Sequence, residues 1–215
     1  GLHDLDIENT LMDYNRAGTA LVEIVTEPDF RSGDEAYAFL SEVRKLVRYL
    51  GVCDGNMEEG SLRCDANVSI RPLGAKEFGV KVEVKNMNSM SNVKKAIEHE
   101  FERQCEMADK AEEIFSETRS FDAMTGTTFA MRSKEDANDY RFFPEPDLPP
   151  LVVSPEWIAE VKSRMPALPK ELYQKFTSEY GLGKYDAEVL TESKEVADFY
   201  IEICDYTDNY KAAAN

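Results

Sequence analysis

Leu62-Arg63-Cys64-Asp65-Ala66-Asn67-Val68-Ser69-Ile70 and, beyond a turn, Val80-Lys81-Val82-Glu83-Val84-Lys85 carry the alternation that decides the fold. In the first segment Leu62, Cys64, Ala66, Val68 and Ile70 fall on one side, and Arg63, Asp65, Asn67 and Ser69 on the other. In the second, the valines oppose Lys81, Glu83 and Lys85. Successive side chains of a strand point to opposite faces, so each segment reads as a strand with one apolar and one polar face. The residues from Pro72 to Gly79 suit an antiparallel hairpin between them. Placed side by side, the two polar faces form a charged floor.

Upstream, Thr19-Ala20-Leu21-Val22-Glu23-Ile24-Val25 reads as a further strand, ended by Glu27-Pro28-Asp29, and Glu23 could join the same floor. Ser32-Gly33-Asp34-Glu35 is a capping box, in which Ser32 and Glu35 each satisfy an orphaned backbone N–H. The helix it opens has Ala36, Phe39, Leu40, Val43, Val47 and Leu50 at helical spacing and Gly51 as its stop. Downstream, a second helix is predicted from about Ser91 to Lys110, with Val93, Ile97, Phe101, Cys105 and Ala108 on or near one face. A hairpin from Glu117 to Arg132 turns at Asp122-Ala123-Met124-Thr125-Gly126. The segment from Tyr140 to Pro150 holds too much proline for a helix or an inner strand.

From Ser154-Pro155-Glu156 the character changes to helices, beginning with one whose apolar face is Trp157, Ile158 and Val161. Others follow around Glu171 to Tyr180 and Lys194 to Asp205, and the end at Tyr210-Lys211-Ala212-Ala213-Ala214-Asn215 reads as a helix in progress. The expected organisation is α+β: a sheet domain over residues 1–153, then the start of an all-helical domain over 154–215.

A chain of 215 residues can bury a sizeable core in one or two domains. Its formal net charge of −17 repels polyanions at long range, so any nucleic acid must touch a small local patch or be gripped elsewhere. No apolar run approaches a membrane span, and neither an initiator Met nor a secretory leader opens the chain, so a cytosolic protein is expected. Cys53, Cys64, Cys105 and Cys204 form no CxxC pair, which leaves reduced, mostly buried thiols and no zinc site. His3 and His99 fit no nucleophile–base pattern. There is neither GxxxxGK(S/T) nor GxGxxG, so a bound nucleotide would have to lie on the sheet. No Ser-Lys or Cys-His amidase set is present, which puts any glutamine hydrolysis elsewhere.

Carboxylates on rigid strands with lysine and arginine between them suit magnesium and phosphate, by hard oxygen ligands and by cations respectively. A solvated antiparallel face with alternating charges is the plainer reading of the same pattern. Glu58-Glu59-Gly60 either brings acidic ligands to the site or is a solvated turn. Asn88 and Ser89, at the junction of Lys85 with the next helix, either bind an anion or cap that helix.

Several long motifs, in order, resemble the GatB family, which supplies one of the three components of the aspartyl/glutamyl-tRNA amidotransferases. They are Asp13-Tyr14-Asn15-Arg16-Ala17-Gly18-Thr19, Glu23-Ile24-Val25-Thr26-Glu27-Pro28-Asp29, Met57-Glu58-Glu59-Gly60-Ser61-Leu62-Arg63-Cys64-Asp65, Lys85-Asn86-Met87-Asn88-Ser89 and Asp139-Tyr140-Arg141-Phe142-Phe143-Pro144-Glu145-Pro146. The resemblance implies an antiparallel-sheet cradle like the catalytic part of glutamine synthetase, then a helical domain. It implies ATP and Mg2+ as cofactors, and a carboxylate on misacylated tRNA that is first phosphorylated and then amidated. The ammonia would come from glutamine through the A subunit, with a C subunit completing the complex; neither DNA nor membrane is a partner.

Carried over by position, Glu23, Asp65 and Glu83 become candidate metal ligands, and Arg63, Asp65 and Glu83 the catalytic set. Lys85, Asn67, Asn88 and Ser89 become candidate nucleotide contacts. The family's first strand, with its Glu and His metal ligands, is expected to lie before Gly1, so this chain alone is expected to be inactive.

Overall fold

The computed structural model describes Tyr14, Asn15 and residues 18–131 and 149–215. The chain forms two compact units, Gly1–Phe30 and Arg31–Asn215.

In the first unit, residues 19–25 form neither helix nor paired strand. Leu21, Val22, Ile24 and Val25 stand 89%, 82%, 59% and 82% exposed. The strand expected here is therefore not made: β-propensity gives an extended chain, but a strand exists only through a hydrogen-bonded neighbour.

The second unit opens with α1 (Gly33–Tyr49). The Ser32 hydroxyl accepts the Glu35 N–H at 3.2 Å, and the Glu35 carboxylate reaches back to the Arg31 N–H at 2.6 Å. The cap thus works as the motif requires, one residue further out on the return bond. Asp34 and Glu35 also place negative charge at the positive end of the helix dipole. Gly51 ends the helix at φ +67°, its N–H bonded to the Arg48 carbonyl.

β1 (Ala66–Val68) and β2 (Val82–Lys85) pair antiparallel, with Ala66 opposite Val84, Asn67 opposite Glu83 and Val68 opposite Val82. The hairpin is as read from the alternation, with shorter strands. Gly79 is what lets it close: a Cβ there would collide with the Ile70 carbonyl oxygen. Gly79→Ala is expected to destabilise the fold by about 1–3 kcal/mol, read as a lower urea midpoint at unchanged slope. An unchanged midpoint would show that the hairpin relaxes freely.

After β2 comes α2 (Met90–Asp109), then β3 (Thr118–Asp122) and β4 (Thr127–Ala130). The sheet order is β1-β2-β3-β4. β2 and β3 run parallel, with Glu83 opposite Thr118 and Lys85 opposite Ser120. The sheet is therefore mixed, not antiparallel throughout. The cause is α2: its 20 residues, about 30 Å long, carry the chain back before β3 begins. β3 and β4 form the expected hairpin, tightened by Gly126 at φ +70° and by Asp122, whose carboxylate accepts the Met124 N–H.

One face of the sheet packs on α1 and α2. Ala66, Val68, Val84 and Phe121 meet Leu40, Val93 and Ala96 in a first core. Burying a valine as fully as Val84 contributes about 1.5–3 kcal/mol. On α2 the buried stripe is Val93, Ala96, Glu100 and Gln104. Phe101, expected on that face, is 54% exposed. The carboxylate of Glu100 displaces it because Arg103, Gln104 and Thr128 all donate to Glu100.

Every described element after residue 153 is a helix: α3 (Pro155–Arg164), α4 (Pro169–Ser178), α5 (Lys184–Leu190), α6 (Lys194–Cys204) and α7 (Tyr210–Ala213). Ser154 caps α3 as expected, accepting the Trp157 N–H. Trp157, Ile158 and Val161 remain 44–45% exposed, so the apolar face read from their spacing is only half covered. A second core joins Leu172, Phe176, Ala187, Leu190 and Tyr200 with Tyr49 from the end of α1. The Tyr49 hydroxyl donates to the Thr191 carbonyl at 2.9 Å. Burial first, then the nearby acids Asp198, Glu192 and Glu195, pushes that hydroxyl up to about 12. Among the described residues no helix is long and apolar enough to cross a membrane.

Candidate functional site

The sheet face turned away from α1 and α2 carries the polar alternation. Asn67 and Glu83, directly opposite in register, share that face with Lys85, Thr118 and Ser120. Three of its charges converge. The Lys85 ammonium lies 3.0 Å from the Asp65 carboxylate and 3.3 Å from that of Glu83. The other Glu83 oxygen accepts the Thr118 hydroxyl at 3.0 Å. Glu83 is thereby fixed at both oxygens by groups from two strands.

The hydrogen bond from Lys85 to Asp65 is the main force raising the lysine above its ordinary range, with the charges of Asp65 and Glu83 behind it. Lys85 therefore stays an ammonium near neutral pH, in contact with both carboxylates. The group is partly exposed, so water screens it and its contribution to stability is small. Its chemical value is geometric: Glu83 on β2 and Asp65, one residue before β1, face a single cation. Magnesium is commonly held by one or two carboxylates with waters and substrate phosphates, and the pair fits that donor set.

The remaining expected residues are distributed as follows. Arg63 is exposed, and its Nε donates to the Gly60 carbonyl at 3.2 Å; no hydrogen bond or ion pair joins it to the lysine group. Asn67 is exposed on the shared face. Glu23 belongs to the first unit and is exposed. Among the described residues, no three His, Cys, Asp or Glu side chains are gathered as a metal centre. Arg141 and most of the Tyr140 to Pro150 segment, with His3, lie outside the described residues.

Among the described residues no hydrogen bond joins Asn88 or Ser89 to the lysine group. Ser89 accepts the Asn92 N–H at 3.1 Å and so caps α2, while Asn88 accepts the Asn92 side-chain amide at 2.7 Å. They also line a cavity of about 460 Å³ with Arg44 and Arg48 of α1 and the loop from Asp54 to Glu58. That loop is folded by its own side chains: Asp54 accepts the Asn56 N–H, and Asn56 accepts those of Glu58 and Glu59.

Sequence reasoning missed Thr118, Ser120 and Asn86. Asn86, at φ +66°, donates to the Ser120 hydroxyl and ties the end of β2 to β3. It also missed the buried ion group behind the sheet. There Glu100, wholly buried, takes two bonds from Arg103 (2.7 and 2.9 Å) and lies 3.6 Å from Arg119. Glu117 meets both arginines. The available signal was spacing, since Glu100 and Gln104 continue the stripe of Val93 and Ala96. All four cysteines are free and half-buried, where fuller burial was expected. Burial, then the adjacent Asp65, pushes the Cys64 thiol up to about 11 and keeps it protonated.

Similarity to known proteins bears on this arrangement directly. Residues 2–159 match the family model described as the GatB/GatE catalytic domain. The B component of the aspartyl/glutamyl-tRNA(Asn/Gln) amidotransferase of Thermodesulfovibrio yellowstonii is 52% identical over 206 residues, 96% of this chain and 43% of that protein. Its namesakes in Rippkaea orientalis and Syntrophotalea carbinolica are 56% and 51% identical, over 89% and 100% of this chain and 39% and 45% of their own lengths. The chain thus spans less than half the length of these relatives. A family-level match over most of its residues, carrying the very motifs that build the hairpin and its charged face, leaves one assignment: the chain belongs to the family of GatB/GatE catalytic domains.

Proposed function

We propose that this chain is the activating part of a cytoplasmic tRNA-dependent amidotransferase, with a cradle of the glutamine synthetase type. One observation carries the reading: Asp65 and Glu83 converge on Lys85 upon the open face of the sheet. In the proposed reaction an oxygen of the substrate side-chain carboxylate attacks the γ-phosphorus of ATP. The new O–P bond forms as the bond to ADP breaks. Ammonia then attacks the carbonyl carbon of the acyl phosphate, and phosphate leaves with the oxygen it gained. The substrate is Glu on tRNA(Gln), Asp on tRNA(Asn), or both, and ammonia is delivered by an A subunit in a complex with a C subunit.

Within this chain, Asp65 and Glu83 would hold magnesium with the nucleotide phosphates, which supplies charge neutralisation at the transferring group. Lys85 would balance phosphate charge, with Asn67 on the same face. Thr118 keeps the Glu83 carboxylate aimed. The proposals for Glu23 and Arg63 rest on the motifs alone. For Asn88 and Ser89 a nucleotide contact is compatible with the bonds they make to Asn92, since each retains polar capacity.

The test uses the full-length polypeptide with its partner subunits, ATP and glutamine. Misacylated tRNA is expected to yield amide, and free glutamate none. Equal turnover of free glutamate would replace this reading with a ligase for a small free acid.

A further inference from the structure

We propose that Lys85 is a built-in counter-ion that competes with the metal: its ammonium fills the cation position between Asp65 and Glu83 and must leave it for a divalent ion to bind there. The inference rests on the reading of that carboxylate pair as the magnesium site, and adds how entry to the site is controlled. The ammonium lies 3.0 Å from Oδ2 of Asp65 and 3.3 Å from Oε1 of Glu83. Magnesium binds carboxylate oxygens at about 2.0–2.1 Å, so an ion bridging those two oxygens would stand where the ammonium stands. Positive charges this close repel strongly, and one cation has to yield.

The lysine is the one free to yield. Glu83 is held from elsewhere: its other oxygen accepts the Thr118 hydroxyl at 3.0 Å, and β2 is paired with β1 on one side and β3 on the other. Its strand neighbours Val82 and Val84 are wholly buried, which leaves the backbone no room to follow a departing partner. Lys85 is the last residue of β2, and among the described residues its ammonium meets only these two carboxylates. Its side chain is 37% exposed, so water screens both contacts and a doubly charged ion competes well for the same oxygens. Lys45 and Lys94 also bridge two acids each. Among the described residues, however, none of those four carboxylates accepts a hydrogen bond from any group but its lysine, so none would stay in place if the lysine left. Glu83 alone has the independent support that a ligand needs. Once out of the pair, the Lys85 charge is free for the nucleotide phosphates.

Binding of Mn2+ in place of Mg2+, followed by electron paramagnetic resonance, tests this without turnover on the full-length polypeptide with its partner subunits. Lys85→Met is expected to tighten Mn2+ binding about tenfold or more, and Lys85→Arg, which keeps the charge, to leave it near the wild-type value. Lys85→Gln repeats the measurement should the Met variant misfold. Glu83→Gln is expected to weaken Mn2+ binding. If it does, while Mn2+ affinity is unchanged or lower in folded Lys85→Met, or rises equally in Lys85→Arg, the competition is overturned and the metal reading of the pair stands. Mn2+ binding untouched by Glu83→Gln removes the metal from the pair, and the competition falls with it.

Discussion

Glu83→Gln in the full-length polypeptide is expected to lower ATP-dependent amide formation by about 10²–10³-fold while leaving the subunits assembled. Gln keeps the shape of the side chain and can still accept the Thr118 hydroxyl that Glu83 accepts at 3.0 Å. What it loses is the charge facing Lys85 at 3.3 Å. Lys85 then has Asp65 alone, and the cation position between the two carboxylates loses one of its ligands. Single-turnover rates with misacylated tRNA measure the loss, and gel filtration with the partner subunits checks assembly. A rate within about twofold of the wild type would remove the carboxylate pair from the chemistry and leave it a solvated ion group, the reading that alternating charges suggest by default. Loss of assembly along with the rate would make the pair a docking element.

Behind the sheet the expected effect falls on stability. Glu100→Ala should cost about 3–5 kcal/mol, because Arg103 and Arg119 would be left half-buried with Glu117 alone to balance them. Gln104 would also lose the oxygen its amide donates to at 2.8 Å, and its own oxygen is already buried without a donor. Urea unfolding measures the difference.

The same carboxylate sets a pH dependence. Burial works to raise it, but the hydrogen bonds from Arg103 and Gln104 and the charges of both arginines hold it below its ordinary value of 4.5. A carboxylate depressed in the folded state stabilises above its unfolded value, and that contribution is lost as pH falls through the folded one. Wild-type stability should therefore fall more steeply below about pH 4.5 than that of Glu100→Gln. Parallel curves for the two proteins would show that Glu100 binds its proton equally in both states.

How much of this was legible follows from which forces are local. The capping residues Ser32 and Ser154 and the turn at Asp122 to Gly126 act within a few residues, and each stands where the sequence puts it. The alternation through Asp65, Asn67, Glu83 and Lys85 fixes which side chains share a face once the two strands pair, and hairpin neighbours pair readily. Lys85 between two acids follows from it. The parallel join of β2 to β3 did not, because it depends on where a 20-residue helix returns the chain. Thr118 was therefore invisible as the partner of Glu83, and Arg119 as that of Glu100. Phe101 was placed on or near the apolar face on hydrophobicity alone and Glu100 was passed over, whereas burial is decided by whether counter-charges wait on the neighbouring strand. The Thr19 to Val25 run shows the converse: apolar residues with β-propensity that pair with no strand among the described residues.

Tyr49 gives α1 an unusual position in the architecture. Its helix contributes Leu40 to the core under the sheet and ends in the core among the helices, where the hydroxyl is tethered to Thr191 and Lys45 reaches Glu192. A helix about 25 Å long thus joins the sheet core, through Leu40 near its middle, to the helical core at its end. Because both cores meet on this one helix, loosening of either is expected to loosen the other.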